Sequence, residues 1–206
     1  MYDIIKYIKR IKFSLFKNMD KLKIATLLGS LRKDSFNKSL LNYVMEISKD
    51  TLDISIIDIN LPLFNEDMES NPTDSVLKLR NTIKDSDGVL IITPEYNYSI
   101  PGLLKNAIDW GSRPYTENVF SKKPMGLIGA SSGAMGTVRS QSHIRQVCTF
   151  LNAFVMNKPE VLITFSKDKF DNNNKLIDSK TKDIIDEFVN NFEKWVKAIN
   201  QIKDLI

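Results

Sequence analysis

The stretch Gly88-Val89-Leu90-Ile91-Ile92-Thr93-Pro94-Glu95-Tyr96-Asn97-Tyr98-Ser99-Ile100-Pro101-Gly102-Leu103-Leu104-Lys105-Asn106-Ala107-Ile108-Asp109-Trp110 decides the fold. It opens on an apolar run with no polar interruption, the pattern of a parallel strand covered on both faces. A loop bracketed by Pro94 and Pro101 follows, and then a helical segment whose leading proline suits a first turn. The same strand, loop and helix recur on either side. Upstream, residues 23–28 and 54–58 read as strands. The segments over 37–48 and 75–84 place Leu40, Leu41, Val44 and Ile47, then Val76, Leu79 and Ile83, on apolar stripes. Downstream come a strand over 124–130, a helix over 135–150, a weaker strand over 161–164 and a closing helix over 180–200. Asp171-Asn172-Asn173-Asn174 reads as a surface turn.

This alternation predicts an α/β fold with a parallel sheet and helices on both faces. Five strands point to a flavodoxin-like three-layer sandwich of order 2-1-3-4-5. The dinucleotide-binding relative of that fold usually needs G-x-G-x-x-G after its first strand, and here that motif is missing.

The 206 residues suffice for one domain, expected over 19–206, that buries roughly 70% of its unfolded surface. A formal charge of +4 invites a nucleic acid or membrane partner, but its location argues otherwise. Residues 1–18 hold five basic side chains and one acidic, which leaves 24 of each sign in the remainder. The basic extension carries Ile4, Ile5, Ile8, Ile11 and Leu15 at helical spacing and reads as an appendage, possible as a surface anchor but not needed for activity. Translation from Met19 is the alternative. No nucleic acid partner and no integral membrane span are expected, because no apolar run approaches the roughly 18 residues of a span. The single Cys148 forms no internal disulfide, and a cytoplasmic location is expected. With one cysteine and one histidine, a Cys/His zinc site is excluded, and no calcium-type loop occurs.

Ligands in open parallel sheets bind beyond the carboxyl ends of the strands. After the first strand, Gly29 is followed by Ser30, Arg32, Ser35 and Asn37, which offer short donors, a planar guanidinium and a helix N-terminus, the parts of a phosphate cradle. No Walker lysine is present, so a terminal monophosphate fits better than a triphosphate. After the third strand, Pro94, Glu95, Tyr96 and Asn97 lie at the same edge, with aromatic faces that suit a planar heterocycle. After the fourth, Gly129, Ser131 and Gly133 match the hydrolase elbow G-x-S-x-G. The only histidine, His143, lies twelve positions on in the next helix, an unsuitable place for a catalytic base, and it reads as a surface or interface residue. Cys148 reads as a small apolar group, and Lys105, Asp109 and Trp110 as packing or subunit-contact residues.

Taken together, Gly29-Ser30-x-Arg32-x-x-Ser35-x-Asn37, Pro94-Glu95-Tyr96-Asn97 with Pro101-Gly102-x-Leu104-Lys105-Asn106-Ala107-Ile108-Asp109-Trp110, and Gly129-x-Ser131-x-Gly133-x-x-Gly136 resemble the NADPH-dependent FMN reductase family. The resemblance spans roughly residues 22–165 and implies bound FMN, NADPH or NADH as donor, and a homodimer or homotetramer. It implies that Ser30, Arg32, Ser35 and Asn37 hold the FMN phosphate. It places Pro94, Glu95, Tyr96 and Asn97 at the isoalloxazine edge, and Ser131 and Gly133 at the ring's other border. The activity it implies is ping-pong transfer of hydride to a quinone, flavin or azo acceptor, with no essential catalytic side chain. A non-catalytic electron carrier is the alternative from another class; such carriers are typically acidic, and this body is neutral. The basic extension departs from the family pattern.

Overall fold

The computed structural model describes residues 20–205, and the appendage over 1–18 and the start at Met19 lie outside the described residues. Among the described residues, six strands and five α-helices follow in the order β1 (Leu22–Leu28), α1 (Phe36–Ile47), β2 (Leu52–Ile57), α2 (Asp74–Lys84), β3 (Gly88–Ile92), α3 (Gly102–Gly111), β4 (Pro124–Ala130), α4 (Val138–Phe150), β5 (Phe154–Val155), β6 (Val161–Ile163) and α5 (Ser179–Ile202). All pairings are parallel, in the order β2-β1-β3-β4-β5, and β6 also pairs with β4.

Successive strand residues point to opposite faces, and this divides the core in two. Ile24, Leu90, Ile92 and Ile128 pack with α1 and α5 through Leu40, Val44, Phe188 and Phe192. Ala25, Val89, Ile91 and Leu127 pack with α2, α3 and α4 through Leu79, Ile108 and Ile144. Each such Val, Leu, Ile or Phe side chain stabilises the sandwich by about 1.5–3 kcal/mol relative to exposure.

The fifth strand position departs from expectation. Instead of one strand over 161–164, two short pieces share it, β5 beside Pro124 and Met125 and β6 beside Ile128–Ala130. Pro159 in the gap has no N–H for a ladder. Arg145 on α4 satisfies the gap from the side, donating to Met156 O and to Asn157 Oδ1, each at 3.2 Å. The helix expected from Met135 starts only at Val138, because Gly136 adopts a left-handed backbone (φ 59°) that breaks a helical run. The turn at Asp171 is present: its Oδ1 accepts the N–H groups of Asn173 and Lys175 at 2.9 and 2.8 Å.

Trp110 belongs to the chain's own packing. It is 1% exposed, and its Nε1 donates to Pro62 O at 2.8 Å. Asn106 donates to the same carbonyl and accepts from Phe64 N, so α3 is the scaffold of the 62–64 loop. What α3 shows outward near Trp110 is the Lys105–Asp109 ion pair at 2.6 Å. Cys148 lies in the core beneath α4, and burial pushes its thiol up to about 12.

Candidate functional site

The carboxyl ends of β1, β3 and β4 lie side by side, and their ladder runs on into the loops. Gly29 N donates to Ile92 O at 2.8 Å, Thr93 N to Ile128 O at 3.0 Å and Ser131 N to Ile163 O at 2.9 Å. Gly129 allows the close approach of the β3 exit to β4, since a Cβ there would collide with Thr93 O. Two adjacent clefts open at this edge. One, of about 180 Å³, is lined by Ser30, Arg32, Ser35, Asn37, Pro94, Tyr96 and their neighbours. The other, of about 380 Å³, is lined by Asn97, Tyr98, Gly133, Met135 and Arg139, and both share Glu95 and Ser131. All ten residues singled out in the sequence therefore line one cleft or the other.

The loop after β1 is rich in open donors. Ser35 occupies the cap position of α1, yet its hydroxyl makes no cap bond. Among the described residues the Arg32 guanidinium has no partner, and only its backbone N–H is engaged, weakly, by Ser30 Oγ at 3.4 Å. The first turn of α1 carries no acidic residue, and its leading N–H groups have no intrahelical partners. Hydroxyls, a guanidinium and helix amides together suit a phosphate monoester. The donor set thus fits the terminal phosphate of FMN.

Asn37 is different. It is 3% exposed, and its amide exchanges two hydrogen bonds with the backbone of Ala130, donating to O and accepting from N, both at 2.9 Å. It lines the cleft as a brace that ties the β1 loop to the end of β4.

The loop after β3 is a closed two-residue hairpin. Tyr96 and Ser99 exchange backbone bonds at 3.2 and 2.9 Å, with Asn97 (φ 49°) and Tyr98 (φ 63°) in the left-handed positions. That is the twist a tight hairpin demands. Glu95 is 10% exposed and caps α4: Oε2 accepts the N–H groups of Arg139 and Ser140 at 2.8 and 3.2 Å, and Oε1 accepts Arg139 Nη1 at 3.1 Å. Arg139 was not singled out in the sequence, where nothing links a helix arginine to a glutamate 44 positions away.

The loop after β4 is held by the segment that follows β6. Ser131 O accepts Ser166 Oγ at 2.7 Å, and Gly133 O accepts Phe165 N at 3.2 Å. Ser131 Oγ meets only Gly133 N, at 3.2 Å, while His143 Nδ1 pairs with Ser99 Oγ at 2.9 Å. The G-x-S-x-G match therefore lacks a base beside its serine, and no acyl-transfer pair forms there. Among the described residues there is no group of three His, Cys, Asp or Glu placed to hold a metal ion, and no helix long and apolar enough to cross a membrane.

Comparison with known proteins gives a consistent picture. Residues 22–168 match the family described as NADPH-dependent FMN reductase. A 2-hydroxy-1,4-benzoquinone reductase from Burkholderia sp is 41% identical over 177 residues, 85% of this chain and 97% of that protein. An NAD(P)H-dependent FMN reductase from Pseudomonas aeruginosa is 40% identical over 182 residues, 87% of this chain and 98% of the relative. Among solved structures, the flavoenzyme NAD(P)H:(acceptor) oxidoreductase FerB from Paracoccus denitrificans superposes with a TM-score of 0.81 at 35% identity, covering 86% of this chain and 98% of that one.

Proposed function

The chain belongs to the NADPH-dependent FMN reductase family, and from that premise we propose that it is an NAD(P)H-dependent quinone reductase whose donor and acceptor take turns in one cleft, a ping-pong order. The observation that carries this reading is the set of unpartnered donors after β1, directly beside an open cleft walled by the hairpin after β3. FMN, when bound, supplies the hydride-accepting and hydride-donating chemistry. Ser30, Arg32, Ser35 and the first-turn amides of α1 would hold its phosphate, and Asn37 keeps that loop in register with β4. Pro94, Tyr96 and Asn97 would border the ring on one side and Ser131 and Gly133 on the other, while Glu95 fixes this wall through its cap on α4. Holding each reactant in its turn against the cofactor replaces a free collision, an effect worth several kcal/mol and up to roughly 7–11 in favourable intramolecular systems. No general acid from the chain is required by this scheme.

A quinone is the acceptor we propose, after the named activity of the Burkholderia relative. Self-association as a homodimer or homotetramer belongs to the same reading. Its support is the exposed edge-to-face pair Tyr115 and Phe150, with centroids 5.9 Å apart between the α3 and α4 ends. Light scattering gives the mass directly.

The test is a visible spectrum of the purified protein followed by steady-state oxidation of NADH and NADPH with menadione. A yellow protein with turnover is expected. A preparation that stays colourless after FMN is added overturns the reading, and a yellow protein without turnover makes it an electron carrier.

A further inference from the structure

The hairpin after β3 presents Tyr98 to its surroundings through a connected set of contacts. Tyr98 holds a left-handed backbone that bulky side chains rarely adopt. Its ring is 66% exposed and still fixed in place, with the Arg139 guanidinium carbon 3.9 Å from the ring centroid. That guanidinium is aimed in turn by Glu95, which also accepts the N–H groups of Arg139 and Ser140. Orientation thus passes from the first turn of α4 to Glu95, then to Arg139, then to Tyr98.

We propose that Arg139 is a positioning residue that presets Tyr98 as a stacking wall for the planar ring of the donor or acceptor. Both residues line the cleft of about 380 Å³ together with Ser131 and Gly133. An exposed tyrosine left to itself would sample several rotamers, and a reactant stacking on it would have to order it first. The guanidinium does that ordering in advance, and it leaves one ring face to a planar partner. The inference rests on the functional reading above, that the two clefts hold FMN and its reactants.

The test uses the FMN-loaded full chain and the variants Arg139→Met, Arg139→Lys, Tyr98→Ala and the Met/Ala double variant. FMN affinity, KM and kcat for NADH and menadione, and amide hydrogen exchange over residues 97–99 are measured on each. With Arg139→Met, the KM of at least one reactant is expected to rise about tenfold, the scale of one aromatic stacking contact. FMN affinity should change far less, and exchange at 97–99 should accelerate. Arg139→Lys, which keeps the charge but loses the planar fork, should recover only part of the KM. Tyr98→Ala should raise the same KM, and adding Arg139→Met to it should change little more. Tyr98→Ala leaves the Glu95 cap intact, so the proposal stays testable even if Arg139→Met folds poorly. Unchanged KM values in Tyr98→Ala, or fully additive effects in the double variant, overturn it. Failure of the unaltered chain to bind FMN overturns the functional reading and this one with it, whereas FMN binding with a silent Tyr98→Ala overturns this one alone.

Discussion

Two loops face each other across the carboxyl edge of the sheet, and they treat their polar groups in opposite ways. After β1, the Ser35 hydroxyl and the Arg32 guanidinium bond nothing among the described residues. After β3, Glu95, Ser99 and the Tyr96 backbone are all bonded within the protein. Open donors become binding energy when an anion arrives, whereas engaged ones shape the room it enters. A larger cleft at the opposite edge makes the same point. It measures about 470 Å³ and is lined by Arg80, Lys84 and Lys123. There, Arg80 is bonded through Nη2 to Glu117 at 2.7 Å, although its buried Nε finds no partner among the described residues, and Lys123 donates to the carbonyls of Lys84 and Ser86. Volume alone would have pointed to this end of the sheet, away from the motif residues that line the other two clefts.

The contrast can be broken by substitution: an engaged group should cost stability, an open group affinity. Asn37→Ala is the most severe case, because it orphans the buried N–H and C=O of Ala130. It should destabilise the chain by about 2–4 kcal/mol in a denaturant titration. Arg32→Ala should leave that midpoint in place and weaken FMN binding by about 1.5–3 kcal/mol, read by flavin fluorescence. Glu95→Gln should lower stability by about 1–2 kcal/mol through the weakened cap on α4, with a smaller effect on FMN than Arg32→Ala. Were the order of these two reversed in affinity, the distinction between the loops would not stand. Lys84→Ala, in the larger cleft, should change FMN affinity by less than about 0.5 kcal/mol.

Away from both clefts, Cys148 supplies a pH signature. Burial raises its thiol to about 12 in the folded chain, so the native state keeps a proton that the unfolded state releases. That contribution to stability is complete below the ordinary thiol range and is lost as pH rises from about 9 to 12. A thiol-specific disulfide reagent at pH 8 should therefore leave the native chain unlabelled and react with one thiol once it is unfolded. Labelling of the native protein would show that the α4 side of the core opens.

The architecture was readable because apolar periodicity reports burial directly: Gly88–Ile92 and Pro124–Ala130 are continuous apolar runs and became the central strands. The edge where ligands gather was readable for the same reason, since strand ends locate it. What each polar residue does there was not. Ser35 and Asn37 look alike as short donors in sequence, yet one is open and the other is closed by Ala130, 93 positions away. Glu95 likewise resembles a ring contact until Arg139 and Ser140 are seen to claim its carboxylate. Trp110 reads as surface or core equally well, and only the carbonyl of Pro62 decides the matter. The divided fifth strand left a faint signal, a proline at 159, whose meaning depended on Arg145 reaching across from α4.

The brace between Asn37 and Ala130 also has a temporal side. The amino-terminal half of the anion cradle is synthesised early, but its register depends on β4, whose exit at Ser131 leans on Ile163 in β6. A ribosome must therefore release the chain past β6 before the pocket exists in finished form. Nascent chains truncated before that point should be unable to retain flavin, which makes cofactor capture one of the last events in the maturation of this protein.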